Sequence, residues 1–190
     1  MEINFVTHNK GKVREFRAIL GNKHKLNHIN IDYKELRSDE PEEIAKESAE
    51  RLANKLKKTV VVEDSGLFIS SLNGFPGASS AYIHKRIGLK GILRLMENVK
   101  NREAFYRSAV GYCKPGKKPL SFLGEEKGAI AKEMRGNYGF GHDPIFIPEG
   151  SSKTYGEMEN VEYIKKFRRM AVEKLMKYLE KIVKSIKNYQ

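Results

Sequence analysis

The feature that most constrains this chain is the run Thr59-Val60-Val61-Val62, followed directly by Glu63-Asp64-Ser65-Gly66. Consecutive β-branched residues flanked by polar ones are too few for a helix and read as a central strand covered on both faces. In open α/β sheets, ligands bind beyond the carboxyl ends of such strands. Two adjacent carboxylates in that place are costly unless a cation shares them, and a hard ion such as Mg²⁺ takes oxygen ligands. Gly66 permits a sharp turn there. Taken alone, the tetrapeptide reads equally well as a turn or helix cap built from Asp64 and Ser65.

The segments around this strand supply helices and further strands. Ile3 to Thr7 is a short apolar strand, and a polar turn through His8, Asn9, Lys10, Gly11 and Lys12 leads into a helix with Val13, Phe16, Ile19 and Leu20 on one face. Ile29, Ile31 and Tyr33 alternate as a second strand. Pro41 opens a helix, with Glu42 and Glu43 suiting the positive end of its dipole. Asn73 to Gly77 is a turn or loop, and a helix is predicted over Ile92 to Val99. Ala104 to Cys113 and Leu120 to Ala131 read as two strands joined around Pro115-Gly116. Gly136 to Pro148 forms a Gly-rich loop, and the chain closes with a long amphipathic helix starting near Ile164. Interleaved strands and helices predict α/β architecture. No repeat, linker or boundary divides the sequence, so one domain over 1–190 is expected.

The sequence has 190 residues, enough for a core without disulfides, and Cys113 is the only cysteine. No apolar run approaches membrane-spanning length, and no signal-peptide pattern opens the chain, so a cytoplasmic protein without a membrane partner is expected. The formal charge of +12 invites an anionic partner without choosing among nucleic acid, membrane surface and polyphosphate. Gln occurs only at position 190 while Lys, Arg and Glu abound, a bias that leans toward a thermophilic source.

Three more constellations carry chemistry. Thr7 to Lys12 sits between a strand and a helix, where free N–H groups and a lysine make an anion cradle, although it is not a Walker loop. Phe140-Gly141-His142-Asp143 offers a ring to stack on a flat base and a carboxylate to read its edge. Lys165-Lys166-Phe167-Arg168-Arg169 offers cations to a phosphate or a purine carbonyl. Each has a plain structural reading as well: a βα turn, a core-plugging loop and a solvated basic face.

Taken in order, these pieces resemble the inosine/xanthosine triphosphate pyrophosphatase (Ham1-like) family. The family's Ser/Thr-x-Asn-x-x-Lys is matched by Thr7, Asn9 and Lys12, and its acidic turn by Glu63, Asp64, Ser65 and Gly66. Gly74-Phe75-Pro76-Gly77 follows, and Phe140 to Phe146 matches Phe-Gly-Tyr-Asp-Pro-Ile-Phe with His142 in the tyrosine position. The Ser-His-Arg that precedes the family's last helix is not matched, since the pair before the arginine is absent.

The resemblance implies an α/β fold with an elongated mixed, partly antiparallel sheet flanked by helices, in two lobes with a nucleotide cleft. It implies a cytoplasmic homodimer, expected from a thermophilic archaeon in view of the composition, that cleaves ITP, dITP and XTP to the monophosphate and pyrophosphate and needs Mg²⁺. Asp64 falls on the general base, with Lys12 as its catalytic partner, and Glu35, Glu63 and Asp64 fall on the metal, Glu40 being the alternative to Glu35. Thr7, His8, Asn9, Lys10, Gly11 and Lys12 fall on the phosphate loop. Ser65, Phe140, Gly141, His142, Asp143, Lys165, Arg168 and Arg169 fall on the substrate, with Lys166 an alternative to Lys165. Two readings stay open beside it: a related pyrophosphatase for modified or pyrimidine triphosphates, and a basic nucleic-acid-binding module. Nucleic acid is not the expected partner, because it gives no reason for the acidic segment.

Overall fold

Strand β3 (Val60–Ile69) is buried at every position except Ser65, which fixes it as the middle of the sheet. In the computed structural model, which describes residues 1–187, it joins β1 (Glu2–Val6), β2 (Lys25–Ile29), β4 (Pro76–Gly77), β5 (Glu103–Cys113), β6 (Leu120–Ile130) and β7 (Phe146–Pro148). The last three positions of the domain expected over 1–190 lie outside the described residues. The sheet order is β2-β1-β3-β5-β6-β7, with β4 on β3. β1 is parallel to β2 and β3, and the remaining pairs are antiparallel. This is the expected α/β fold with a mixed sheet.

The period-2 pattern of the strands sends alternate residues into two cores. Ile3, Phe5, Val61 and Val110 face α1 (Lys10–Leu20) and α5 (Lys166–Lys187), meeting Val13, Phe16, Leu175 and Leu179. Val6, Val60, Val62 and Ala109 face α2 (Pro41–Leu56), meeting Ala45, Ala49 and Leu52. A third cluster gathers the far end of β3 with Tyr106, Ile130, Phe146, Phe167, Ile92 on the inner side of α3 (Ser80–Leu95) and Met96 just after it.

Several expectations need correction. Glu63-Asp64-Ser65-Gly66 is not a turn at a strand end: β3 runs through it and pairs with β5 residue by residue from Val60↔Cys113 to Ile69↔Ala104. Gly66 serves close approach instead, since a Cβ there would stand 2.1 Å from the Gly77 carbonyl oxygen. The second strand ends at Ile29, and Ile31 and Tyr33 pack against the α2 core from an irregular segment. The helix predicted over Ile92 to Val99 begins at Ser80, is broken at Gly88 and ends at Leu95. Its first half lacks an apolar stripe because Ala81, Tyr82, Lys85, Arg86 and Ile87 are exposed. The C-terminal helix is two helices, α4 (Val161–Ile164) and α5, separated at Lys165. Glu126 of β6 enforces that break by accepting the N–H groups of Lys166 (2.9 Å) and Phe167 (3.2 Å).

Gly66→Ala is expected to destabilise the protein by about 1–3 kcal/mol, because β4 must move to admit a methyl group. Urea unfolding measures this, and an unchanged midpoint contradicts the close-approach role.

Candidate active site

β3 has unequal edges. One pairs with β5 throughout, whereas the other meets β1 only as far as Phe5↔Val61 and meets β4 at Leu67 and Phe68. The ladder is therefore open at Glu63–Gly66, where the chain leaves β1 at Thr7. A cavity of about 330 Å³ lies against this gap, at the small end of the range that holds small molecules.

The segment after β1 is ordered by its own side chains. Thr7 Oγ1 accepts from the Asn9 N–H at 3.1 Å, and Asn9 Oδ1 accepts from Gly11 (2.8 Å) and Lys12 (3.2 Å), capping α1. Two N–H groups expected to face an anion are thus taken by Asn9. Lys12 is the cation that reaches the gap. It donates to the Glu63 carbonyl oxygen at 2.7 Å, and its Nζ stands 2.9 Å from Glu63 Oε2. Burial lowers its pKa, but Glu63 and Asp64 outweigh that and hold it above the ordinary value.

The two carboxylates of β3 point opposite ways, as successive strand residues do. Glu63 sits among cations: Ser108 Oγ donates to its Oε1 at 2.5 Å and Arg168 Nε at 3.0 Å, while its Oε2 accepts no hydrogen bond among the described residues and stands 2.9 Å from Lys12 Nζ. Asp64 is buried, and its Oδ2 has no hydrogen-bond partner. Desolvation raises its pKa to about 7, against the pull of Lys12 and with help from Glu35 and Glu63.

Behind the cavity runs a chain of buried opposite charges. Arg168, 1% exposed, donates from Nη2 to Ser65 Oγ at 2.9 Å and makes a close ion pair with Glu15. Glu15 also takes Lys165 Nζ at 2.7 Å, and Lys165 donates at 2.6 Å to Asp143. The Asp143 carboxylate further accepts the Phe140 N–H at 2.7 Å and the Tyr106 hydroxyl at 3.3 Å, so it holds the loop rather than standing free. Lys165 Nζ lies 4.5 Å from the half-buried Phe140 ring centre. Gly11 lets that ring approach α1, because a Cβ there would stand 2.6 Å from it. His142 is buried edge-on to His84, 5.1 Å between centres, and desolvation and that neighbour hold its pKa down to about 3, so it is neutral.

Glu35 reaches the same cavity from the segment after β2, whereas Glu40 sits outside it at the start of α2. Arg51 of α2 ties this segment down, donating to the Lys34 carbonyl oxygen at 2.5 Å and lying 5.9 Å from the Tyr33 ring centre. Among the described residues, no three His, Cys, Asp or Glu side chains gather closely enough to hold a metal ion. Of the three expected ligands, Glu35 and Asp64 line the cavity, whereas Glu63 does not and lies among Lys12, Arg168 and Ser108. Two carboxylates suit Mg²⁺, which usually completes its shell with water and phosphate oxygens, and the free Asp64 Oδ2 fits such an ion.

Of the remaining candidates, Thr7, His8, Asn9, Ser65, Gly141 and His142 line the cavity. Lys10 and Lys166 are exposed, Gly11 is buried behind Phe140, and Arg169 donates to the Tyr163 carbonyl at 3.1 Å, so these four do not line it. Sequence reasoning missed Glu15, whose one signal was an acid between Val13 and Phe16 on the apolar stripe of α1. It also missed Tyr33, Tyr106 and His84, whose neighbours in space are distant in sequence.

A sequence model of the Ham1 family matches residues 3–178. The chain is similar to a protein of Methanopyrus kandleri named dITP/XTP pyrophosphatase, 50% identical over 159 residues, covering 83% of this chain and 85% of that one. A protein of the same name from Methanosarcina mazei is 46% identical over 179 residues, 93% and 96% of the two chains. Among solved structures, the Staphylococcus aureus Ham1 protein matches with a TM-score of 0.80 at 30% identity, over 95% of this chain and 98% of that one.

The raised pKa of Asp64 has a consequence for stability. Between about 4 and about 7 the folded chain binds more protons at this site than the unfolded one, so the site's contribution falls as pH rises through that window. Without divalent metal, Asp64→Asn should therefore be more stable than the parent at pH 8, by as much as about 4 kcal/mol, and the advantage should vanish near pH 4. Thermal melts at the two pH values measure it; a variant less stable at pH 8 contradicts the buried, unpaired carboxylate.

Proposed function

The chain belongs to the Ham1 family, and on that premise we propose that it hydrolyses ITP, dITP and XTP to the nucleoside monophosphate and pyrophosphate. The observation that carries the base preference is the pair of buried cations beside Phe140. Arg168 has five N–H donors, of which three are engaged by Glu63, Glu15 and Ser65, and Lys165 has three, of which two are engaged. What is left at that end are donors. A 6-oxo purine stacked on Phe140 offers them its carbonyl oxygen, whereas the 6-amino group of adenine presents a donor to donors. Unmatched polar groups at a dry site discriminate by orders of magnitude, far beyond shape.

At the other end, Lys12 and the side chains of Thr7 and Asn9 face the phosphates. Asp64, lining the cavity at the open stretch of β3, accepts the proton of a water as that water attacks the α-phosphorus. The α–β anhydride bond breaks, and Lys12 neutralises the departing pyrophosphate. Mg²⁺ at Glu35 and Asp64 supplies charge neutralisation and Lewis acidity when bound.

We infer further that the enzyme is a cytoplasmic homodimer of thermophilic archaeal origin. The exposed Tyr82, Ile87 and Leu95 on α3 support a contact between copies, and no described helix is long and apolar enough to cross a membrane. Scarce Gln and abundant Lys and Glu support the thermophilic source.

Pyrophosphate release should be measured with ITP, XTP, dITP and the four standard triphosphates, with and without Mg²⁺. The expected result is kcat/KM for ITP and XTP at least about 100-fold above ATP, dependence on Mg²⁺, and near-complete loss of turnover in Asp64→Asn with nucleotide binding retained. Equal turnover of ATP and ITP contradicts the donor-only base site, and normal turnover in Asp64→Asn removes it as the base.

A further inference from the structure

The end of the sheet remote from the cavity carries a concentration of charge that catalysis does not use. Lys55, Lys57 and Lys58 close α2 and lead into β3, and Lys114, Lys117 and Lys118 form the turn between β5 and β6. The two groups are adjacent, because Val60 pairs with Cys113 and the Gly116 N–H donates to Asn54 Oδ1 at 2.8 Å. The turn is closed from within: the Lys117 N–H donates to the Lys114 carbonyl at 3.0 Å, and the Cys113 thiol to the Lys117 carbonyl at 3.1 Å.

All six lysines are exposed, and among the described residues none of them is in an ion pair or donates a side-chain hydrogen bond. The sequence from Arg51 to Val62 and from Ala104 to Gly124 contains no Asp or Glu. Glu50, one turn back on α2, is the nearest acid in sequence and offsets a single charge. Two exposed lysines elsewhere do face acids, Lys127 with Glu103 at 2.8 Å and Lys25 with Glu2 at 3.7 Å; what sets this end apart is six lysines gathered on two adjoining segments that carry no acid. From Val60 to Asp64 the strand covers roughly 13 Å, and none of the six lysines lines the cavity.

We propose that this lysine-bearing end is a docking surface for the phosphate backbone of double-stranded nucleic acid. The partner follows from the residue types. Six separate point charges spread over two turns match a repeating polyanion better than a single phosphate group. Lysine gives charge without the bidentate fork that reads bases, and no large exposed aromatic side chain lies in either turn to stack on an unpaired base. The same turns expose no large apolar side chain for insertion into a lipid surface. Contacts of this kind position without specifying sequence, and the cavity stays open to nucleotides because it lies elsewhere on the sheet.

The test is fluorescence anisotropy of a labelled 25-base-pair duplex of arbitrary sequence, titrated with the full chain at several salt concentrations. The expected result is micromolar binding at low salt, with log affinity falling against log salt at a slope of about −4 to −5. The triple reversal Lys58→Glu, Lys117→Glu and Lys118→Glu should weaken binding by about tenfold or more while leaving pyrophosphate release intact. A control of equal charge on the exposed part of α3 and beyond, Lys90→Glu, Arg94→Glu and Lys100→Glu, should weaken it less than about threefold. The proposal is overturned by absence of binding at low salt, by equal weakening in both variants, or by tighter binding to phosphatidylserine vesicles than to the duplex.

Discussion

An interrupted ladder on β3 organises this molecule. The strand is paired along one edge and open on the other at Glu63–Gly66, between the end of β1 and the start of β4. An open edge in the middle of a sheet leaves backbone groups and inward side chains that need partners. Lys12 answers the Glu63 carbonyl and the Ser80 hydroxyl answers the Leu67 N–H, yet neither fills the space, and the cavity is what remains. Because successive residues of β3 face opposite sides, one strand turns Glu63 to the buried cations and Asp64 to the cavity.

The buried charges follow from that division. Arg168 and Lys165 are deeply buried, and a cation taken out of water is tolerable only with close anions. Glu63, Glu15 and Asp143 supply them, from β3, α1 and the loop before β7, so the ion chain also ties these elements together. Removing one acid strands a buried cation, which costs about 3–5 kcal/mol in comparable cases. Asp64 differs in having no cation in an ion pair with it among the described residues, and desolvation raises its pKa to about 7. Stability has been given up at that carboxylate, as is common where a fold holds a reactive group.

Much of the fold could be read from the sequence because its signals are local. The valine run before Glu63 marked the central strand, Ala104 to Cys113 marked its antiparallel neighbour β5, and Leu120 to Ala131 marked β6 beyond it, both to within a residue. The order of Thr7 to Lys12, Glu63 to Gly66 and Phe140 to Asp143 assembled most of the cavity wall. What could not be read depends on contacts distant in sequence. β3 continues past its acids because β5 pairs with them, and that pairing sends Glu63 and Asp64 to opposite sides. Lys165 rather than Lys166 enters the cavity because Glu126, forty residues away in sequence, caps α5 just after it. That break also sets Arg168 inward and Arg169 outward. Glu15 looked like an isolated acid on an apolar stripe, since its partners Lys165 and Arg168 are about 150 residues on.

We propose that Asp64 and Glu35 form the cation site while Glu63 is held as a structural anion. Anomalous diffraction from crystals grown with Mn²⁺ and a non-hydrolysable ITP analogue tests it most directly. The expected result is a manganese peak at coordinating distance from Asp64 and Glu35, with Glu63 still bonded to Ser108 and Arg168. A peak coordinated by Glu63, or one that leaves Asp64 without a metal contact, contradicts it.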